Sequence, residues 1–167
     1  MVDHCYLRNH KLLSAKMRLY LVRHIFKICE KFELLRSTLF LAVQYMDLYF
    51  SRIYTFKDQI EMVSVAQACL FIAMKYEEIY PPDLSDWVDY RQKGEIVRLE
   101  AEVLKTLDFQ LAHYTLDHFM HFQLWQRTEN ECDSQKVNER TLLLMDLSLF
   151  DLTMRQFKPS SLARCIF

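Results

Sequence analysis

The sequence predicts an all-α protein. It has only 1 Gly and 3 Pro in 167 residues, so it is poor in the residues that make special turns. Apolar residues recur at helical spacing through nearly every segment. Hydrophobic residues make up 51% and aromatics 14%, enough to fill a core in a chain of this length.

The first helix runs from Ala15 to Phe32, with Met17, Leu21, Ile25, Ile28 and Phe32 on one stripe. A second is expected to start at Ser37 or Thr38, either of which can cap it. It continues through Leu39, Val43, Met46 and Phe50, and Ser51 to Thr55 read as a loop. The third, from about Lys57 to Tyr76, is apolar on most sides, as a buried central helix is. Its Ala66, Ala68 and Ala73 let neighbours approach closely. Pro81-Pro82 should end it, with Pro82 in the first turn of a short helix through Leu84 and Trp87. Gly94 is expected to separate that helix from a fifth one, beginning near Glu95 and carrying Ile96, Leu99, Val103, Leu104 and Leu107.

Residues 15–109 therefore read as one five-helix unit, and residues 113–167 as the start of a second. Thr115 can cap a helix through Phe119, Phe122 and Trp125. Arg127 to Gln135 is polar and reads as a linker. Lys136 to Phe150 is apolar at Val137, Leu142, Met145 and Leu149, and a last helix begins at Pro159. Cys165-Ile166-Phe167 echoes Cys69-Leu70-Phe71, a weak internal repeat whose second copy is incomplete. Three helices cannot close a core that five cover, so apolar surface is expected on the second unit.

Several function classes are disfavoured. The formal net charge of -1 gives no basic surface for nucleic acid. No run of eighteen apolar residues is present to span a membrane, and no charged-then-apolar leader is visible. With one glycine, a phosphate-binding P-loop is excluded. Cys5, Cys29, Cys69, Cys132 and Cys165 are scattered and odd in number, which favours free thiols in a reducing compartment. His118 and His121 have a spacing that zinc ligands use, with Cys132 as a distant third candidate, but no metalloprotease pattern surrounds them. Neither a metal nor a cofactor is expected.

Three segments resemble one family. Met17-Arg18-Leu19-Tyr20-Leu21-Val22, Lys75-Tyr76-Glu77-Glu78-Ile79-Tyr80-Pro81-Pro82, and Arg98 through Phe109 are similar in order and spacing to the cyclin box. Leu41-Ala42-Val43-Gln44-Tyr45-Met46-Asp47 adds the second-helix pattern. The likeness is to the A- and B-type cell-cycle cyclins. It implies a cyclin-box domain at 15–109, followed by an incomplete cyclin-like repeat at 113–167. It also implies a non-enzymatic regulatory subunit of a cyclin-dependent protein kinase, nuclear or cytoplasmic. A transcription-initiation adaptor built on the same fold is the alternative; it would want a basic face and a zinc ribbon, and neither is visible.

The resemblance assigns roles as well. Lys75 and Glu100 would grip the kinase around its αC helix, with Ile72, Tyr76, Leu104, Phe109 and Leu111 packing against that helix. Read from the residues alone, Glu100 lies in an apolar stripe and needs a partner, which an internal salt bridge would equally supply. Lys75 sits in a last helical turn, where a cation gains about 0.3–1 kcal/mol from the helix dipole. Glu77 and Glu78 read as solvated. Arg18 and Asp47 match a structural pair between the first two helices. Met17, Tyr20, Leu21, His24 and Lys27 match a docking patch for kinase substrates or inhibitors. The family has tryptophan and an acidic residue where this chain has His24 and Lys27.

Overall fold

In the computed structural model the described residues are Leu7, His10, 12–127 and 134–166. Helix α1 spans Ala15–Lys31, α2 Arg36–Arg52, α3 Gln59–Glu77, α4 Leu84–Trp87 and α5 Tyr90–Thr106. Then follow α6 (Leu116–Arg127), α7 (Ser134–Phe150), a 3-10 helix (Leu152–Gln156) and α8 (Pro159–Ile166). The described residues contain no strand.

Helix α3 is the axis. It packs on α1, α2 and α5. Met62, Val65, Ala66, Ala68, Cys69, Leu70, Ala73 and Met74 are all fully buried along it. A helix so surrounded cannot be amphipathic, as its sequence foretells. The helices α1 and α5 are amphipathic and line its flanks, burying Leu21, Val22 and Ile25 from one and Ile96, Leu99 and Val103 from the other.

The helix ends show local chemistry. Ser14 Oγ accepts from Met17 N at 3.2 Å and starts α1. Asp58 Oδ1 accepts from Glu61 N at 2.8 Å and starts α3, while Glu61 Oε2 accepts from Lys57 N at 2.7 Å, a reciprocal arrangement close to a capping box.

Four boundaries differ from the sequence reading. Helix α2 begins at Arg36 after Leu35, with no side-chain cap of its own. Glu78, 43 residues away, serves instead: its Oε1 accepts from Leu35 N at 2.8 Å and from the Thr38 hydroxyl at 2.5 Å. Glu78 is therefore a structural cap and not a solvated charge. Helix α2 also runs on through Ser51 and Arg52. Pro82 lies outside any helix: α3 has already ended at Glu77, and α4 begins at Leu84 after Asp83. Gly94 lies inside α5, which starts at Tyr90. It faces solvent, and a Cβ placed there would meet nothing within 4 Å, so the helix passes through it at a cost of about 1 kcal/mol relative to alanine.

Helix α6 packs by a different face than expected, whereas α7 buries Met145 and Leu149 of its expected stripe. Helix α6 buries Leu116 and Met120 and exposes Phe122 and Trp125. Helix α7 buries Thr141, Met145 and Leu149 and exposes Leu143, Leu144 and Leu147. Apolar surface is thus open on both. Most of the expected linker, residues 128–133, lies outside the described residues. Cys29 and Cys69 are buried free thiols, and burial is the main reason that Cys29 is pushed up to about 12. Cys165 is exposed, unlike the Cys69 it echoes.

Candidate functional site

The site is built on the C-terminal end of α3 and the middle of α5. These helices pack directly, so the last turn of one lies beside the third turn of the other. Lys75 Nζ donates to Glu100 Oε1. The ammonium also stands 4.2 Å from the centroid of the Phe71 ring, a cation–π position. The Lys75 side chain is 43% exposed and the Glu100 side chain 13%. The carboxylate in the apolar stripe therefore has its partner, and the pair sits at the surface where a second molecule can reach it.

The apolar candidates divide by depth. Tyr76 and Phe109 are exposed, Leu104 and Leu111 are half-buried, and Ile72 belongs to the core. Ile72 supports this surface from beneath. Leu111 is pinned by its backbone: Tyr45 Oη donates to Leu111 O at 2.8 Å. Burial, the leading cause, raises the Tyr45 hydroxyl above its ordinary range and keeps it a donor. Beyond Tyr76 the chain exposes Ile79 and Tyr80 almost completely. The charged pair thus joins the end of α3 to α5, and the exposed Tyr76, Ile79 and Tyr80 follow Lys75 in the chain.

Arg18 and Asp47 form a bidentate buried pair. Arg18 Nε reaches Oδ1 at 2.9 Å and Nη2 reaches Oδ2 at 2.8 Å, with both side chains essentially inaccessible. Arg18 Nη1 continues to Leu149 O at 3.0 Å on α7. Arg155, in the 3-10 helix, places Nε 3.1 Å from Asp47 Oδ2 and donates Nη2 to Gln44. Arg36 likewise binds Asp146 and the Leu142 carbonyl on α7. Polar contacts from α1 and α2 thus reach both α7 and the 3-10 helix. Arg155 and Asp146 escape sequence reading because their partners lie more than a hundred residues away in the chain. The only local hint is a cation in a short apolar connection.

On α1, the five docking-patch residues do not form one open surface. Leu21 is fully buried and Met17 nearly so, while Tyr20 and Lys27 are exposed and His24 is intermediate. The rings of Tyr20 and His24 stack at 6.4 Å. His24 Nε2 lies 3.2 Å from Gln67 Nε2. Burial first, and Lys27 second, hold the His24 imidazole below its ordinary range.

His118 and His121 are engaged separately. The His118 Nδ1 is 2.9 Å from the Thr115 hydroxyl, and His121 Nε2 is 3.5 Å from Asp117 Oδ2. Among the described residues no group of three His, Cys, Asp or Glu side chains is placed to hold a metal ion. Cys132 lies outside them. No helix of the described chain is long and apolar enough to cross a membrane.

A central helix sheathed by its neighbours, with a charged pair and aromatics at one end, defines an all-helical domain of the cyclin-box kind. The comparisons agree. The family model described as the cyclin N-terminal domain matches residues 1–112. The G2/mitotic-specific cyclin-A of Patella vulgata is 36% identical over 167 residues, covering 95% of this chain and 37% of that protein. The G2/mitotic-specific cyclin-B of Arbacia punctulata is 32% identical, covering 93% of this chain and 38% of that protein. Human cyclin-A2 is 30% identical, at 97% and 38% coverage. The X-ray structure of a viral cyclin from herpesvirus saimiri superposes with a TM-score of 0.83, covering 97% of this chain and 72% of that one. At 17% identity this last likeness speaks to the fold alone.

The chain belongs to the cyclin family, and its relatives there include cyclins of the A and B types. It spans a little over a third of the length of the curated relatives described above.

Proposed function

We propose that this chain is a regulatory subunit that binds and activates a cyclin-dependent serine/threonine protein kinase in cell-cycle control. The observation that carries this reading is the Lys75–Glu100 ion pair, which joins α3 to α5 with its lysine exposed, while Tyr76, next to Lys75 in the chain, and Phe109, just past the end of α5, are exposed as well. A charged pair presents donors and acceptors to a partner backbone, and the exposed rings supply the apolar contact that anchors an interface.

The mechanism follows from phosphoryl-transfer chemistry. In a protein kinase the αC glutamate must pair with the phosphate-binding lysine before transfer is efficient. A rigid surface that binds αC only in its inward position shifts the kinase toward its active state by the difference in affinity for the two states. The chain itself supplies no catalytic group in this reading. Its rigidity would come from the packing of α5 on the buried α3, which holds Lys75 of one helix beside Glu100 of the other.

The test is kinase binding and activation by the double variant Lys75→Ala with Glu100→Ala. Each lost charge-assisted hydrogen bond costs about 1.5–3 kcal/mol. Calorimetric titration against a purified cyclin-dependent kinase should show binding weakened at least a hundredfold, with the thermal unfolding of the free chain little changed. Equal affinity for the variant and the unmodified chain would refute the assignment.

A further inference from the structure

At the end of α5 two consecutive residues have left-handed backbone, Asp108 at φ 54° and Phe109 at φ 55°. Neither is glycine, and for an aromatic residue this conformation is an outlier. A helix end commonly uses one such residue, usually Gly or Asn. Here the turn is closed by three backbone bonds: Asp108 N to Lys105 O at 3.0 Å, Phe109 N to Leu104 O at 2.9 Å, and Gln110 N to Leu107 O at 3.0 Å. Across it the chain passes from the core to the surface. Leu107 is 1% exposed, and Phe109, two residues on, is 65% exposed.

Backbone strain of this kind persists only where the surroundings over-determine it. The surroundings here include Arg52, the last residue of α2. Its Nη1 donates to Thr106 O, at the last residue of α5, and lies 3.1 Å from Asp108 Oδ2. A cation on the last carbonyls of a helix is favoured by both hydrogen bonding and the helix dipole. One turn earlier on α2, Tyr49 Oη donates to Glu102 Oε1 at 2.8 Å. Helix α2 thus holds the end of α5 at two levels, and Arg52 is the level at the turn itself.

We infer that Arg52 is a positioning residue for partner binding: it braces the left-handed Asp108–Phe109 turn that presents the Phe109 ring outward. This role rests on the kinase-binding reading above. Arg52 acts through the backbone of another element and lies inside the matched domain but between the short motifs that carry the resemblance.

Two measurements test it on the unmodified chain, Arg52→Ala, Arg52→Lys, Phe109→Ala and the double variant Arg52→Ala with Phe109→Ala. The first is amide hydrogen exchange at residues 108–110. Arg52→Ala should speed exchange of the Phe109 amide about tenfold and leave the amides of α3 unchanged. The second is affinity for an immobilised cyclin-dependent kinase. Phe109→Ala should weaken binding, Arg52→Ala should weaken it about three- to tenfold, and Arg52→Lys should recover most of that loss. In the Phe109→Ala background, Arg52→Ala should add nothing, because its effect passes through that ring. Unchanged exchange at Phe109 in Arg52→Ala overturns the proposal. So does full affinity in Phe109→Ala, or an Arg52 effect of the same size with and without the ring, which would make Arg52 a direct contact. An unmodified chain that binds no kinase would sink the kinase reading, and this role with it.

Discussion

Arg155 closes over Asp47. Its Nε lies 3.1 Å from Oδ2 of a carboxylate that Arg18 already grips through both oxygens. One buried acid therefore joins α1, α2 and the 3-10 helix that precedes α8. Such a cluster is stable only while every member is in place, because a buried charge without its partner is far more costly than the pair is favourable.

Asp47→Ala should destabilise the chain by about 3–5 kcal/mol, since it leaves two guanidinium groups without their shared carboxylate. Urea unfolding measures this directly. Arg155→Ala should cost less, because Arg18 keeps its bidentate bond. A loss well under 1 kcal/mol for Asp47→Ala would show that the cluster is open to water.

Gly94→Ala should raise stability by about 1 kcal/mol. The position is inside α5, faces solvent, and leaves nothing within 4 Å of an added methyl group. The melting temperature should rise by a few degrees for a chain of this size. A fall would mean that the helix breaks at Gly94, as the sequence reading had it.

Stability should decline on mild acidification. The imidazoles of His24 and His113 are both held below their ordinary value, burial being the first cause for each. A depressed histidine is neutral in the folded chain while the unfolded chain already takes up a proton. Its contribution is complete above about pH 6.5 and is lost as pH falls toward and through the folded value. The urea midpoint should therefore drop between pH 7.5 and 5.5. His24→Gln should flatten that slope in part. An identical slope in the variant would remove His24 from the account.

The docking patch that the family resemblance implies on α1 would take a short Arg-x-Leu peptide, and such peptides should bind it weakly here. Leu21 is sealed in the core, and what reaches the surface is Tyr20, His24 and Lys27. Lys27 repels a basic peptide, at a cost of about 1 kcal/mol for a surface charge. His24 offers less apolar area than an indole, a loss of about 1–2 kcal/mol. His24→Trp with Lys27→Glu should then tighten binding about ten- to hundredfold in fluorescence anisotropy. Tight binding by the unmodified chain would show that other residues form the patch.

What the sequence determined by itself is the helical class and the central place of α3. Both follow from local quantities, namely few glycines and prolines, helical spacing, and one segment apolar on all sides. The cyclin-like segments were legible for the same reason, since Lys75 and Glu100 are marked by their immediate neighbours. The tertiary structure decided whatever depends on residues distant in the chain. Ser37 and Thr38 looked like caps for α2, yet the cap is Glu78, because a carboxylate carried there by α3 meets the free backbone N–H first. Gly94 looked like a break, yet α5 continues through it, because packing of Ile96, Leu99 and Val103 outweighs one unfavourable propensity. Phe122 and Trp125 looked like a core stripe and are exposed, while Arg155 found Asp47 across 108 positions. Spacing sets which residues share a face of a helix; only the neighbouring helices decide which face is covered.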